Sequence, residues 1–201
     1  MQDDGHGQSS ELMSSEGWLT GLPPERIDAA EIVLTRGSPQ VADEFVVAVN
    51  ASLDHLRPWM PWAQAPANAE SIGGFLLGAE ADWVAHRAFQ YIIAASSGSP
   101  FLGCCGLHAR LGPGVLEIGY WVHTDHVGRG VATAAAGALT STALSLAEVE
   151  RVEIHCDAAN ARSAAVARKL GYRLDRIQTR TPRTPGETDA LMIWVLDRVA
   201  R

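Results

Sequence analysis

Apolar and polar positions alternate along residues 116–122, with Leu116, Ile118, Tyr120 and Val122 on one side and Glu117, Gly119 and Trp121 on the other. A period of two predicts a strand. The pattern then breaks. Gly128 and Gly130 stand where a chain turns, and seven alanines between Ala132 and Ala147 predict a helix.

Periodicity assigns the rest of the chain in the same way. Residues 31–36 read as a first strand. In residues 38–56, Ser38 is placed to cap a helix, Pro39 takes its first position, and Phe45, Val49 and Leu53 recur every four residues. Ile72, Leu76, Ala79 and Trp83 predict a second helix over 69–87. Residues 89–95 and 101–111 form a predicted hairpin, and 112–114 turn the chain into the strand at 116–122. Beyond the alanine-rich helix, Val152, Ile154 and Cys156 alternate in a strand over 151–157. Asn160 opens a helix that Gly171 ends. Residues 172–181 and 190–196 make a last hairpin. The order is β-α-α-β-β-β-α-β-α-β-β, a single α/β domain with helices on a mixed sheet. Residues 1–21 are rich in Gly, Ser, Asp and Gln without periodicity, so a disordered tail is expected there and the domain in 22–201.

Composition narrows the function. A chain of 201 residues suits one domain with an ample core, and a net charge of −7 argues against nucleic-acid binding. Cys104, Cys105 and Cys156 form neither an even disulfide set nor a metal-ligand spacing, and Cys104 and Cys105 should point to opposite faces of their strand. His123 and His126 lack the further ligands of a zinc site, so no metal is expected. The absence of a signal-like start or an apolar run of about 18 residues predicts no membrane association and a cytoplasmic protein.

The glycine turn carries the chemistry. A helix mouth leaves backbone N–H groups without intrahelical partners, and the helix dipole adds roughly half a positive charge there. Gly128, Arg129, Gly130, Val131, Ala132 and Thr133 therefore make a cradle for phosphate or pyrophosphate, with Arg129 adding charge. Read plainly, the same residues are only a strand-to-helix turn. No Gly-Lys-Ser/Thr is present for a P-loop, and Thr133 occupies the third small position of a dinucleotide fingerprint.

The strand Glu-Ile-Gly-Tyr-Trp-Val followed by Val127-Gly-Arg-Gly-Val-Ala132 resembles the acetyl-CoA motif of the GNAT superfamily of N-acetyltransferases, usually Gln/Arg-x-x-Gly-x-Gly/Ala. Gly130 and Ala132 match, whereas Val127 departs from the motif. Leu56-Arg-Pro-Trp-Met-Pro-Trp62 and Asn160-Ala-Arg-Ser163 are similar to the RimJ/RimL-like branch, which acetylates ribosomal-protein N-termini. The resemblance runs from about Ile32 to Leu196. It implies a mostly antiparallel sheet with one splayed strand pair and helices on both faces. It also implies acetyl-CoA as co-substrate, its arm lying in the gap between the splayed strands.

Residue roles follow from that resemblance. Backbone N–H groups near Trp121 and Val122 would meet the oxyanion, Asn160 would hold the pantetheine arm, and Ser163 would protonate the leaving thiolate. Glu117 is the candidate base, acting through water on the acceptor amine. Many relatives carry another glutamate on the last hairpin, where this chain has only Asp175. Bland readings stand beside these: Asn160 is also a good helix cap, Glu117 a solvated strand-edge carboxylate, and Tyr120 a core residue. Trp59 and Trp62, on a loop stiffened by Pro58 and Pro61, serve either as a core plug or as an acceptor wall. Arg162, Arg168 and Lys169 are candidates for the cofactor's 3′-phosphate. Arg176, Arg180 and Arg183 hint at an acidic acceptor.

The reading that results is an enzyme acetylating a primary amine, foremost a peptide N-terminus. The alternatives are the same chemistry on a small-molecule amine and a non-catalytic acyl-CoA sensor. Whether the chain forms a homodimer stays open.

Overall fold

The computed structural model describes residues 18–199. Eight strands form one sheet: β1 (Arg26–Ala29), β2 (Ile32–Arg36), β3 (Ala88–Ala95), β4 (Phe101–His108), β5 (Val115–Val122), β6 (Arg151–Asp157), β7 (Arg173–Thr179) and β8 (Ala190–Asp197). Four helices accompany them: α1 (Ala42–Leu56), α2 (Ala69–Val84), α3 (Val131–Ser145) and α4 (Ala161–Lys169).

The strands lie in the order β1-β2-β3-β4-β5-β6-β8-β7, and every neighbouring pair is antiparallel except β5 with β6. That parallel pair holds at Val115–Arg151, Leu116–Val152 and Glu117–Glu153 alone. Beyond Glu117 the two strands separate, and residues 118–122 face residues 154–157 across a gap.

Alternation along β5 and β6 assigns a core to each face. Leu116, Ile118, Val152 and Ile154 pack with Ala135, Ala136 and Leu139 of α3 and Ala164 and Ala167 of α4. Small side chains on both helices let them approach the sheet closely. On the other face, Phe45, Val49, Leu53 and Leu56 of α1 and Ile72 and Leu76 of α2 pack over Ile92, Cys104 and Trp121. Cys104 and Cys105 join different cores, as the alternation requires. α2 starts at a capping box, in which Asn68 accepts from the Ser71 N–H and Ser71 accepts from the Asn68 N–H.

Two sequence expectations need correction. The strand β1 was not foreseen, because its four residues offer only Ile27 and Ala29 as apolar positions. The tail expected over 1–21 ends sooner. Trp18 donates its indole N–H to Ala109 O at 3.2 Å, Leu19 is 1% exposed, and the N–H groups of Thr20 and Gly21 donate to Glu148. Two anchoring side chains in a polar run carry no periodicity, so the pattern hid them. The remainder of that expectation, residues 1–17, lies outside the described residues. Among the described residues no helix is long and apolar enough to cross a membrane.

Candidate active site

The route from β5 to α3 is built to present backbone donors. A short 3-10 turn (Thr124–His126) follows β5, its Asp125 N–H held by the His123 ring. Gly128 and Gly130 then take φ of 81° and 85°, a left-handed conformation that costs other residues strain. Gly130 caps α3 without any side-chain bond, and the first helical bond is Ala134 N–H to Gly130 O at 2.9 Å. Among the described residues, none of the N–H groups of residues 128–133 has an acceptor within the chain. Arg129 is exposed beside them. An anion with several oxygens, such as a pyrophosphate, fits this donor set.

The gap between β5 and β6 continues from the cradle. His123 N–H donates to Leu102 O at 2.8 Å, on the β4 side. Because antiparallel strands alternate the direction of their backbone groups, Trp121 N–H also points at β4, whereas Val122 and Tyr120 N–H point into the gap. Of the two N–H groups expected to meet an oxyanion, Val122 has the required direction and Trp121 does not. The indole of Trp121 contributes elsewhere, packing 5.7 Å from Phe45, 5.9 Å from Phe101 and 6.1 Å from Trp62. Trp62 is half exposed and Trp59 half-buried, so neither is a fully buried plug. Pro58 O ties it to the β7–β8 loop, accepting from Thr184 Oγ1 at 2.6 Å and Gly186 N–H at 3.0 Å.

One face of the gap carries a pair of hydroxyls. Asn160 caps α4, its Oδ1 accepting from Ser163 N–H at 3.1 Å, which leaves the Asn160 amide nitrogen free to donate. Tyr120, which the alternation assigned to the core, reaches from β5 so that its hydroxyl is 2.8 Å from Ser163 Oγ. Burial pushes the Tyr120 phenol well above its ordinary range, so it stays protonated as a donor. The sequence signal was present but faint: a hydroxyl on the inward face of a strand, opposite a helix opened by Asn160.

Glu117 lies on the opposite face. Its oxygens accept from Arg110 Nε and Nη2, each at 2.7 Å. His155 Nδ1 is 3.9 Å from Glu117 Oε1. Burial raises the affinity of this carboxyl for a proton. The Arg110 hydrogen bonds, with the neighbouring His155, Arg110 and His108, outweigh burial, and the carboxyl is held below its ordinary range. Glu117 is thus buried and ionised, not a solvated edge residue.

Several of the other candidates are occupied. Asp175 accepts from Arg173 at 2.6 Å and Arg176 at 2.7 Å, so it offers no free base. Arg180 and Arg183 both pair with Glu187, which offsets part of the positive charge that the sequence hinted at. The Arg168 guanidinium lies over Trp194, 5.6 Å from the ring centroid, instead of facing a phosphate site. Among the described residues no cluster of three or more His, Cys, Asp or Glu could hold a metal ion.

Comparison with known proteins agrees with this geometry. Residues 25–173 match the model of the acetyltransferase (GNAT) domain family. YdaF of Bacillus subtilis (strain 168), whose name calls it a candidate ribosomal N-acetyltransferase, is 25% identical over 139 residues, covering 67% of this chain and 73% of its own. Among solved structures, RimL, a ribosomal L7/L12 alpha-N-protein acetyltransferase in complex with coenzyme A, superposes with a TM-score of 0.79 at 19% identity, covering 86% of this chain and 98% of its own. The microcin C7 self-immunity acetyltransferase MccE, in complex with acetyl-CoA and AMP, gives 0.76 at 20% identity, covering 83% and 92%.

Proposed function

Because the chain belongs to the GNAT acetyltransferase family, we propose that it moves the acetyl group of acetyl-CoA onto a primary amine, with a protein or peptide N-terminus as the acceptor. The observation that carries this reading is the continuity of donors, from the unpaired N–H groups of residues 128–133, along the open edge of β5, to the Tyr120–Ser163 pair.

Acetyl-CoA supplies an acetyl group already activated as a thioester. The chain supplies the rest. N–H groups at the mouth of α3 hold the pyrophosphate, and the Asn160 amide and the edge of β5 hold the pantetheine arm. Val122 N–H donates to the carbonyl oxygen as negative charge builds on it, a fixed donor of the kind worth several kcal/mol. Ser163 gives its proton to the departing sulfur and takes one back from water, while the neutral Tyr120 hydroxyl orients it by a hydrogen bond. Glu117, on the other face, takes the proton of the amine.

An α-amine suits this equipment. With a pKa of about 7.7–8.0 it is roughly 10% neutral at pH 7, a cost of about 1.4 kcal/mol, whereas lysine at about 10.4 costs about 4.6 kcal/mol. A carboxylate held low by Arg110 is a weak base, and it needs the less demanding acceptor. The names of RimL and YdaF support a ribosomal-protein N-terminus, and with it a cytoplasmic location; MccE keeps a small-molecule acceptor in the test.

Release of free thiol from acetyl-CoA tests the proposal, with three acceptor sets: hexapeptides with a free Ser, Ala or Met terminus, the same peptides N-terminally blocked but carrying lysine, and small amines. Turnover with the free termini alone is expected. Turnover with small amines alone would replace the acceptor class, and no thiol release with any acceptor would leave a binding module.

A further inference from the structure

A half-buried histidine stands behind the candidate base. On β6 the side chains of Glu153 and His155 share the face of Glu117, since Glu153 pairs directly with Glu117 and His155 follows two residues on. His155 Nε2 is 2.6 Å from Glu153 Oε2, and its Nδ1 is 3.9 Å from Glu117 Oε1. Both carboxylates are nearly fully buried, at 7% and 5% exposure. A half-buried imidazole between two buried carboxylates is placed to take up a proton and to have its charge offset.

We propose that His155 is a positioning residue that passes on the proton taken up by Glu117, with Glu153 fixing its tautomer. This rests on Glu117 being the base. An ionised Glu153 can only accept a hydrogen bond, so Nε2 carries the hydrogen and Nδ1 keeps its lone pair towards Glu117. The amine N–H bond breaks as an O–H bond forms on Glu117. That O–H then breaks as an N–H forms at His155 Nδ1, restoring the Glu117 carboxylate. The resulting imidazolium is offset by Glu153 and loses its proton to water as product leaves. Direct transfer needs the two atoms about 1 Å closer than they stand. The relay therefore requires that Glu117, once protonated and its pairing with Arg110 weakened, turn that far towards His155.

Among the described residues, the charged partners of His155 are Glu117 of β5 and Glu153 on its own strand. Arg110 and His108 act on Glu117 in turn, and Arg151 is 4.0 Å from Glu153. Uncharged Ile193 of β8 is the register partner of His155.

Two measurements decide it. The first uses acetyl-CoA with the Ser-initiated hexapeptide and compares H155Q, E117Q and the double variant from pH 6 to 9.5. A relay predicts that H155Q lowers kcat by roughly 10–100-fold, less than loss of the base itself. Its KM for acetyl-CoA should be unchanged, and its deficit should shrink as pH rises. The double variant should be no slower than E117Q, because His155 acts only through Glu117. Normal kcat in H155Q beside an impaired E117Q overturns the relay and spares the base. Full activity in E117Q overturns the base, and the relay with it. The second measurement needs no acceptor: ¹⁵N resonances of the neutral His155 ring should show hydrogen on Nε2, with a tautomer mixture in E153Q. Hydrogen on Nδ1 in the unaltered protein overturns the proposal.

Discussion

The Tyr120 hydroxyl lies 2.8 Å from Ser163 Oγ, and it reaches that oxygen from a strand whose neighbouring side chains on the same face are core hydrophobes. A phenol held neutral at that place orients the serine by a hydrogen bond. Replacing Ser163 with Ala should lower kcat by up to about 10²-fold, at the lower end of what a general acid supplies. Tyr120→Phe removes the orienting bond but not the serine and should cost several-fold less. Calorimetry should find acetyl-CoA affinity unchanged in Tyr120→Phe, and a matching loss of affinity would make the hydroxyl a binding contact instead.

The Arg110–Glu117 pair makes a prediction about acid. Glu117 titrates below its ordinary range in the folded chain, so the pair's contribution to stability is complete above the unfolded pKa, about 4.3. It is lost as pH falls through the lower folded value. Arg110 supplies the largest lowering influence on Glu117, so R110A should begin to unfold at higher pH than the unaltered chain. Circular dichroism from pH 3 to 6 would detect the shift, and coincident curves would show the pair to be inert.

For Glu117 itself the expectation concerns rate. E117Q should lower kcat by roughly 10²–10⁴ without weakening acetyl-CoA binding. In the unaltered chain Glu117 is already ionised above pH 6, so kcat/KM for a peptide acceptor should climb with pH towards the amine pKa, about 7.7–8.0, and then level. A rate independent of pH between 6 and 8 would mean that deprotonation of the acceptor does not limit the reaction.

The cradle is tested by backbone conformation. Gly130 has open space where a Cβ would project, so Gly130→Ala meets no clash and carries only the strain of φ at 85°. That strain is about 1–2 kcal/mol, enough to turn the N–H groups away and weaken acetyl-CoA binding roughly 5- to 30-fold. Val127→Gln, which restores the usual family residue, should change affinity little. Calorimetry on both variants separates a backbone cradle from a side-chain one.

Leu19 offers a test of where the folded domain begins. As a fully buried side chain, its replacement by Ala should cost about 2–5 kcal/mol. For a chain of this size that lowers Tm by about 2–4 °C per kcal/mol. An unchanged melting curve would place the boundary after Gly21.

What the sequence made legible was local. Patterning and helix signals found seven of the eight strands and all four helices; all of these but the exposed β7 bury one face against a core. The cradle was legible too, since its glycines and alanines act within six residues. Long-range partners were not. Tyr120 and Ser163 are 43 positions apart, and Arg110 reaches Glu117 across a turn, so no spacing rule joins them. The arginines of the last hairpin looked available because their carboxylate partner, Glu187, sits in a loop without periodicity.

The parting of β5 from β6 changes what kind of object the sheet is. Strands β1–β5 close on themselves by antiparallel pairing, as do β6–β8, and three rungs near one end join the two leaves. The leaves part like an open book at the Glu117–Glu153 rung, the last that joins their strands. The middle of a sheet ordinarily holds the amides slowest to trade hydrogen with solvent. Here the amides of Tyr120 and Val122 should exchange as fast as those of an outer edge, and slow sharply when a ligand's arm closes the book.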